Sequence, residues 1–396
     1  MNSSIPHSPI AIRSTSSPPI LEGEFWTSKQ RQASSLHEVS YRACFKPQLP
    51  RYFIERYSSP GDLVYDPFMG RGTTVIEAAL LGRRVAGNDA NPLATIFTLP
   101  RLELPEPSEV EERLGTIAFG LKRRAEIDLS MFYHEKTEAE IVSLKDYLSG
   151  RRNGGNEDAV DRWIRMVATN RLTGHSPGFF SVYTLPPNQA TLPQYQEKIN
   201  RLRGQKPEYR DTKKIILRKT KTLFKKLSDV ERRNLRFAAP GARLLVRDAR
   251  STPGIEDRSV RLSVTSPPFL DVVHYAQDNW LRCWFNEIDS SRVEMTMTHS
   301  LDEWSAVMAE VFAELFRITA DGGFVAFEVG EVRKGSIRLE EAVIPLGRSA
   351  GFDCNTVLIN LQSFTKTANI WGIGNNRAGT NTNRIVLFQK PNATRE

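Results

Sequence analysis

Apolar positions in this 396-residue chain form short buried-type runs near both ends and helical spacing in between. Leu63-Val64-Tyr65 makes a run that closes on Asp66. After a glycine turn, Val75, Ile76, Ala79 and Leu80 share one face of a helix predicted over Thr73–Leu81, which Gly82 stops. Arg84–Gly87 reads as a second strand, ending at Asn88-Asp89. Strand, turn, helix and strand within residues 63–89 predict a βαβ unit with parallel strands. Upstream, residues 36–57 read as an extended piece followed by a helix from near Pro50. The alternation breaks between about 100 and 240, where helical spacing dominates over Glu135–Leu148, Ala159–Leu172 and Asp211–Ser228. In the last of these, Ile216, Leu223 and Leu227 share one side, while Lys214, Arg218, Lys221 and Lys225 share another. Gly174–Tyr183 reads as a loop with exposed aromatics. Strand patterns resume at Ala242–Val246, closing on Asp248, and at Arg261–Val264. They recur at Phe324–Val329, Cys354–Leu361 and Ile385–Gln389, with helices at 302–317 and 338–350. A Gly/Asn/Thr-rich loop, Thr365–Thr382, joins the last two strands and predicts an antiparallel pair.

The simplest organisation is one α/β domain, residues 36–99 with 241–396, on a mostly parallel sheet with an antiparallel last strand. A helical, basic insertion over 100–240 interrupts it. The Ser/Pro-rich residues 1–35 read as a flexible tail. No run reaches the roughly 18–20 apolar residues of a membrane helix, and no secretory signal is evident, so a cytoplasmic location is expected. Three scattered cysteines, Cys44, Cys283 and Cys354, form no CxxC pair and suggest neither a metal site nor a disulfide framework. The net charge of +8 is uneven. Lys198–Arg236 holds fifteen Lys/Arg against four Asp/Glu, which leaves the rest of the chain slightly acidic. A basic excess confined to one segment suits a polyanion-binding surface, so Lys214, Arg218, Lys221 and Lys225 are candidate nucleic-acid contacts.

Two motifs carry the chemistry. In the first, Asp66-Pro67-Phe68-Met69-Gly70-Arg71-Gly72-Thr73-Thr74, the glycines let the backbone approach a ligand at the sheet's carboxyl edge. A Walker loop would need a Lys, and the dinucleotide fingerprint a third glycine where Val75 stands. Asp66 would repel a phosphate but accept a cation, which fits the sulfonium and amino groups of S-adenosylmethionine. Asp89 can accept ribose hydroxyls and Asp248 the adenine amino group. In the second motif, Thr265-Ser266-Pro267-Pro268-Phe269, the Ser266 hydroxyl and Pro267 carbonyl can hold the two N–H groups of an aromatic amine and aim its lone pair. Pro267 and Pro268 stiffen the turn, and Phe269 offers a ring for a flipped base to stack on.

These residues resemble the amino-methyltransferase branch of the S-adenosylmethionine-dependent DNA methyltransferases. DPFMGRGTT is similar to the family's cofactor motif, GNDANPL to its second-strand acidic motif, and TSPPF to its catalytic (D/N/S)PP(Y/F) motif. The order of cofactor motif, recognition insertion and catalytic motif is also the family's. HEVSYRACFKPQLPRYFIERY resembles the element covering the methionine end of the cofactor. The resemblance implies a class I, Rossmann-like methyltransferase sheet. It implies S-adenosylmethionine held by Phe45, Lys46, Asp66, Pro67, Phe68, Gly70, Gly72, Thr73, Asp89 and Asp248. It further implies catalysis at Ser266, Pro267, Pro268 and Phe269, and double-stranded DNA as substrate. Ser at the first catalytic position goes with cytosine N4 in this family, Asp or Asn with adenine N6. The expectation is a cytosine-N4 enzyme of a restriction system, with a cognate endonuclease as a partner. Adenine-N6 transfer, an RNA base methyltransferase and a non-catalytic DNA-binding module are the alternatives.

Overall fold

The computed structural model describes residues 11–14, 18–26, 33–41, 44–120, 122–184, 191–268, 275–293, 300–332, 337–361 and 382–393. The chain opens with strands β1 (Ala11–Ser14) and β2 (Ile20–Gly23) and helix α1 (Gln48–Tyr57), followed by the βαβ unit of β3 (Leu63–Asp66), α2 (Thr73–Leu80) and β4 (Arg84–Asn88). A helical stretch comes next: α3 (Leu93–Leu102), α4 (Pro107–Thr116), α5 (Glu135–Asn153), α6 (Ala159–Arg171), α7 (Pro193–Arg203), α8 (Thr212–Phe224) and α9 (Asp229–Ala238). The sheet is then completed by β5 (Arg243–Leu245), β6 (Val260–Thr265), α10 (Tyr275–Asn286), α11 (Leu301–Ile318) and β7 (Thr319–Val329). A small ribbon of β8 (Glu331–Val332) and β9 (Ile337–Arg338) precedes α12 (Leu339–Ser349), β10 (Asp353–Leu361) and β11 (Thr382–Gln389).

The main sheet runs β1-β2-β10-β11-β7-β6-β3-β4-β5. β6, β3, β4 and β5 are parallel neighbours and β7 joins β6 in parallel, whereas β11 is antiparallel to both β7 and β10. This is the expected class I methyltransferase sheet, antiparallel strand included. The chain moves outward from β3 to β5 and then jumps back to β6, so the order reverses between β3 and β6. Such a reversal opens a crevice at the carboxyl ends of the strands, the usual ligand position in open α/β sheets. Both motifs lie there.

Buried on both faces, β3 has all four residues inside, as a central parallel strand requires. One face carries Leu63, Tyr65, Val325, Phe327 and Val386 against α11 and α12. The other carries Val64, Val85, Leu262, Val264 and Ile385 in a core continuous with α1, α2, α3, α6 and α8. The helical stretch therefore shares the sheet's core and is not a separately packed body.

Two expectations fail. Residues 1–35 are not a flexible tail throughout: β2 pairs in parallel with β10, from Val357↔Ile20 to Asn360↔Gly23, and Phe25 and Trp26 are buried. Their backbone N–H groups donate to Asn360 Oδ1 at 2.7 and 3.2 Å. Four apolar and polar residues among Ser and Pro carry too little pattern to reveal a strand whose partner lies over 300 positions away. Nor are the aromatics of Gly174–Tyr183 exposed. Phe180 is fully buried and Phe179 nearly so, because Phe180 N–H caps the Arg171 carbonyl at 2.8 Å and the Arg171 guanidinium covers the Phe179 ring at 4.0 Å. The Thr365–Thr382 loop lies outside the described residues save for Thr382.

Candidate active site

The turn after β3 takes its shape from two left-handed glycines, Gly70 at φ 49° and Gly72 at φ 73°. A Cβ at Gly72 would stand 2.3 Å from Thr98 Oγ1, so α3 packs directly against the start of α2. Gly70 N–H donates to Asp89 Oδ2 at 2.9 Å, and Asn91 N–H donates to Asp89 Oδ1 at 2.9 Å. The carboxylate that ends β4 thereby fixes the turn that follows β3. Burial pushes Asp89 up to about 6, against the pull of these two backbone donors.

Asp66 joins the two motifs. Its Oδ1 accepts from Thr265 Oγ1 at 2.7 Å and from Phe68 N–H at 3.1 Å. Thr74, the second residue of α2, donates through Oγ1 to the Val264 carbonyl at 2.9 Å. Residues nearly 200 positions apart are thus in hydrogen-bond contact where the strand order reverses. Asp66 is about 1% exposed, and burial pushes it up to about 7 despite these donors. A buried carboxyl held this high is set to ionise against a cation.

Beyond Thr265, the Ser266 hydroxyl stands beside the Glu328 carboxyl near the end of β7 and favours its ionised form. Trp304 Nε1 of α11 donates to the Pro268 carbonyl at 2.9 Å, which pins the second proline, and Pro267 is buried. Phe269 lies outside the described residues.

The other expected cofactor residues fall into two groups. Pro67, Phe68 and Thr73 belong to the turn itself, with Pro67 O accepting from Asn88 Nδ2 at 3.2 Å and Thr73 Oγ1 from Arg71 Nε at 3.2 Å. Phe45 and Lys46 are brought to the same place by Arg71, whose guanidinium donates to the Val39 carbonyl at 2.7 Å and to the Phe45 carbonyl at 3.4 Å. Partial burial lowers the Lys46 ammonium. Asp248 stands apart: it is exposed, in a 2.7 Å pair with Arg250 that holds it below the usual carboxylate range. It follows β5 as expected, but its environment is not that of the buried Asp66.

Three contributors escaped the sequence reading. Asn88, fully buried, donates to the Pro67 and Arg247 carbonyls and accepts from Arg247 N–H at 3.1 Å, tying three strand ends together. Arg71 is a position of the glycine motif to which the sequence assigns no role. Glu328 had a visible signal, a lone acid within the apolar run Phe324–Val329.

On α8, Lys214, Arg218, Lys221 and Lys225 line one open groove of about 450 Å³ with Leu217 and Thr222, while Ile216 and Leu223 face the core. Arg218 Nη2 donates to the Pro177 carbonyl at 3.1 Å, bringing the groove up to the Gly174–Tyr183 loop. Among the described residues, no group of His, Cys, Asp and Glu is placed to hold a metal ion, and no helix is long and apolar enough to cross a membrane.

The buried Asp66 and the half-buried Asp89 on adjacent strand ends, the glycine turn and the SPP turn thus meet at the crevice where the strand order reverses. Residues 14–95 match the family model of the N6/N4 DNA methylases, a segment holding Phe45, the glycine turn and Asp89 but ending well before Ser266. The match covers a minority of the chain and does not separate the N4 and N6 branches. Among relatives, it is 28% identical over 128 residues to the Type II methyltransferase M.MvaI of Kocuria varians, covering 32% of this chain and 25% of that one. It is 22% identical over 295 residues to the Type II methyltransferase M.BsoBI of Geobacillus stearothermophilus, covering 65% and 54%. The chain thus spans about a quarter to a half of the length of these relatives. Among solved structures, TTHA0409 of Thermus thermophilus, described as a DNA modification methylase and complexed with S-adenosylmethionine, aligns at 22% identity over 38% of this chain and 55% of that one, with a TM-score of 0.25.

Proposed function

We propose that this protein is a DNA methyltransferase that moves a methyl group from S-adenosylmethionine to the exocyclic N4 amine of a flipped-out cytosine, as the modification enzyme of a restriction system. The observation that carries the reading is the Thr265–Asp66 hydrogen bond, which makes the glycine turn and the SPP turn two walls of one site.

The residues fit the cofactor on their own chemistry. Asp66, buried, and Asp89, half-buried, are both raised toward neutrality and suit a positively charged ligand with hydroxyl donors. Gly70 and Gly72 give the left-handed backbone that shapes the turn at the carboxyl edge, and the segment at Phe45 and Lys46 closes the methionine end. S-adenosylmethionine supplies an activated methyl group on a positive sulfur. The chain's part is to hold the amine: Ser266 Oγ and the Pro267 carbonyl accept its two N–H groups, which localises the nitrogen lone pair and directs it at the methyl carbon. Phe269 stacks on the base. Ser266 at the first catalytic position supports cytosine, since the family it resembles has Asp or Asn there for adenine. Lys214, Arg218, Lys221 and Lys225 bind backbone phosphates.

Incubation with methyl-labelled S-adenosylmethionine and unmethylated genomic DNA, followed by nucleoside mass spectrometry, tests this. Label is expected in N4-methylcytosine. Label in N6-methyladenine would reassign the base, and none on DNA would overturn the reading. Ser266→Ala should lower kcat on the order of 10²–10³-fold while cofactor and DNA binding persist; undiminished transfer would remove Ser266 from catalysis.

A further inference from the structure

Glu328 is the one acid in the Phe324–Val329 run, and it lies at the site, not in the open. β6 and β7 run in parallel with Thr265 opposite Phe327, so the next positions, Ser266 and Glu328, leave the two strands side by side. The Glu328 side chain is about 8% exposed. In that register the Ser266 hydroxyl stands beside its carboxyl and favours the ionised form against burial, while Oε1 accepts from Asn383 Nδ2 of β11 at 2.5 Å.

A serine hydroxyl has one proton and two lone pairs. Once the proton points at Glu328, only lone pairs remain for a ligand. An aromatic amine has just the opposite need, since it offers two N–H donors and must not have its own lone pair engaged by a donor. We propose that Glu328 is a positioning residue for methyl transfer: by accepting the Ser266 hydroxyl, it obliges Ser266 Oγ to face the target amine as an acceptor. The proposal rests on the methyl-transfer reading above. Asn383 completes the arrangement by occupying the other carboxylate oxygen, which leaves a single oxygen for Ser266.

Among the described residues, Ser266 just beyond β6 and Asn383 of β11 are the groups that meet the Glu328 carboxyl, and neither titrates. One position along β11, Arg384 pairs with Glu340 of α12 at 2.5 Å. Burial raises Glu328 above the ordinary carboxylate value. Protonation would therefore set in at a higher pH than for an exposed glutamate, and a protonated Glu328 can donate to Ser266 and release its hydroxyl proton toward the amine.

Glu328→Gln inverts the polarity. Asn383 claims the amide oxygen, the amide NH₂ turns to Ser266, and the serine proton points into the site. With wild type, Glu328→Gln, Ser266→Ala and the double variant assayed on unmethylated DNA at saturating cofactor, the inference predicts a kcat loss on the order of 10²-fold for Glu328→Gln. KM for cofactor and Kd for DNA should be unmoved, and the double variant should be no slower than Ser266→Ala, because the two residues act as a unit. Saturating cofactor silences Asp66 and Asp89, so wild-type kcat should show an acid limb above pH 4.5 that Ser266→Ala lacks. That profile needs no Glu328 variant and decides the matter should Glu328→Gln fail to fold. Full kcat in Glu328→Gln, losses that multiply in the double variant, or identical acid limbs in wild type and Ser266→Ala would overturn the inference. A wild type that transfers no methyl group to DNA would instead overturn the underlying reading.

Discussion

At the scale of single residues, the site is governed by carboxyl groups taken out of water. Asp66 is raised to about 7 and Asp89 to about 6. A raised carboxyl favours the folded state in its protonated form. Its contribution is thus fully present below the ordinary value of 3.8 and is lost as pH rises through about 6–7. The ligand-free protein should therefore lose thermal stability from pH 5 to pH 7.5 more steeply than Asp66→Asn, checked by melting curves. A cationic ligand reverses the balance, since it needs the ionised form: S-adenosylmethionine affinity measured by calorimetry should rise through the same window, and a flat profile would deny Asp66 and Asp89 that role. Gly72 gives a test free of charge. Gly72→Ala meets both the left-handed backbone and Thr98, at a cost of about 2–4 kcal/mol, and should abolish cofactor binding before it abolishes folding.

At the scale of elements, legibility followed locality. The βαβ unit was readable because its period changes within 27 residues and each turn is marked by Gly or Asp. The amphipathic pattern of α8 was readable for the same reason, its lysines on one side and Ile216 and Leu223 on the other. What could not be read were interactions between distant elements: the Thr265–Asp66 bond, the burial of Phe179 beneath Arg171, and the Ser266–Glu328 pairing across β6 and β7. Each motif announced itself, but the way one motif supports the other is tertiary. The groove on α8 carries a prediction of its own. Neutralising Lys214, Arg218 and Lys221 together should weaken DNA binding and flatten the slope of log affinity against log salt by about 0.9 for each phosphate no longer neutralised. An unchanged slope in a filter-binding titration would remove α8 from the interface.

At the scale of the whole molecule, the helical stretch and the sheet are packed through one core, so the basic groove on α8 and the β3–β6 crevice are borne by one body. The N-terminal segment belongs to that body too. Trp26 packs against Tyr52 and Phe53 of α1 at ring distances of 5.5 and 6.0 Å, and Trp26→Ala should cost about 3–5 kcal/mol, measurable by denaturant titration. The position of β2 has another effect. It covers the flank of β10, a nine-residue strand whose amides and carbonyls would otherwise be open to any passing chain, while the short β1 takes the outermost place. A protein trimmed to begin after Trp26 would present that flank to its own copies. Its failing would then appear as concentration-dependent self-association in light scattering, with the β3–β6 crevice itself intact.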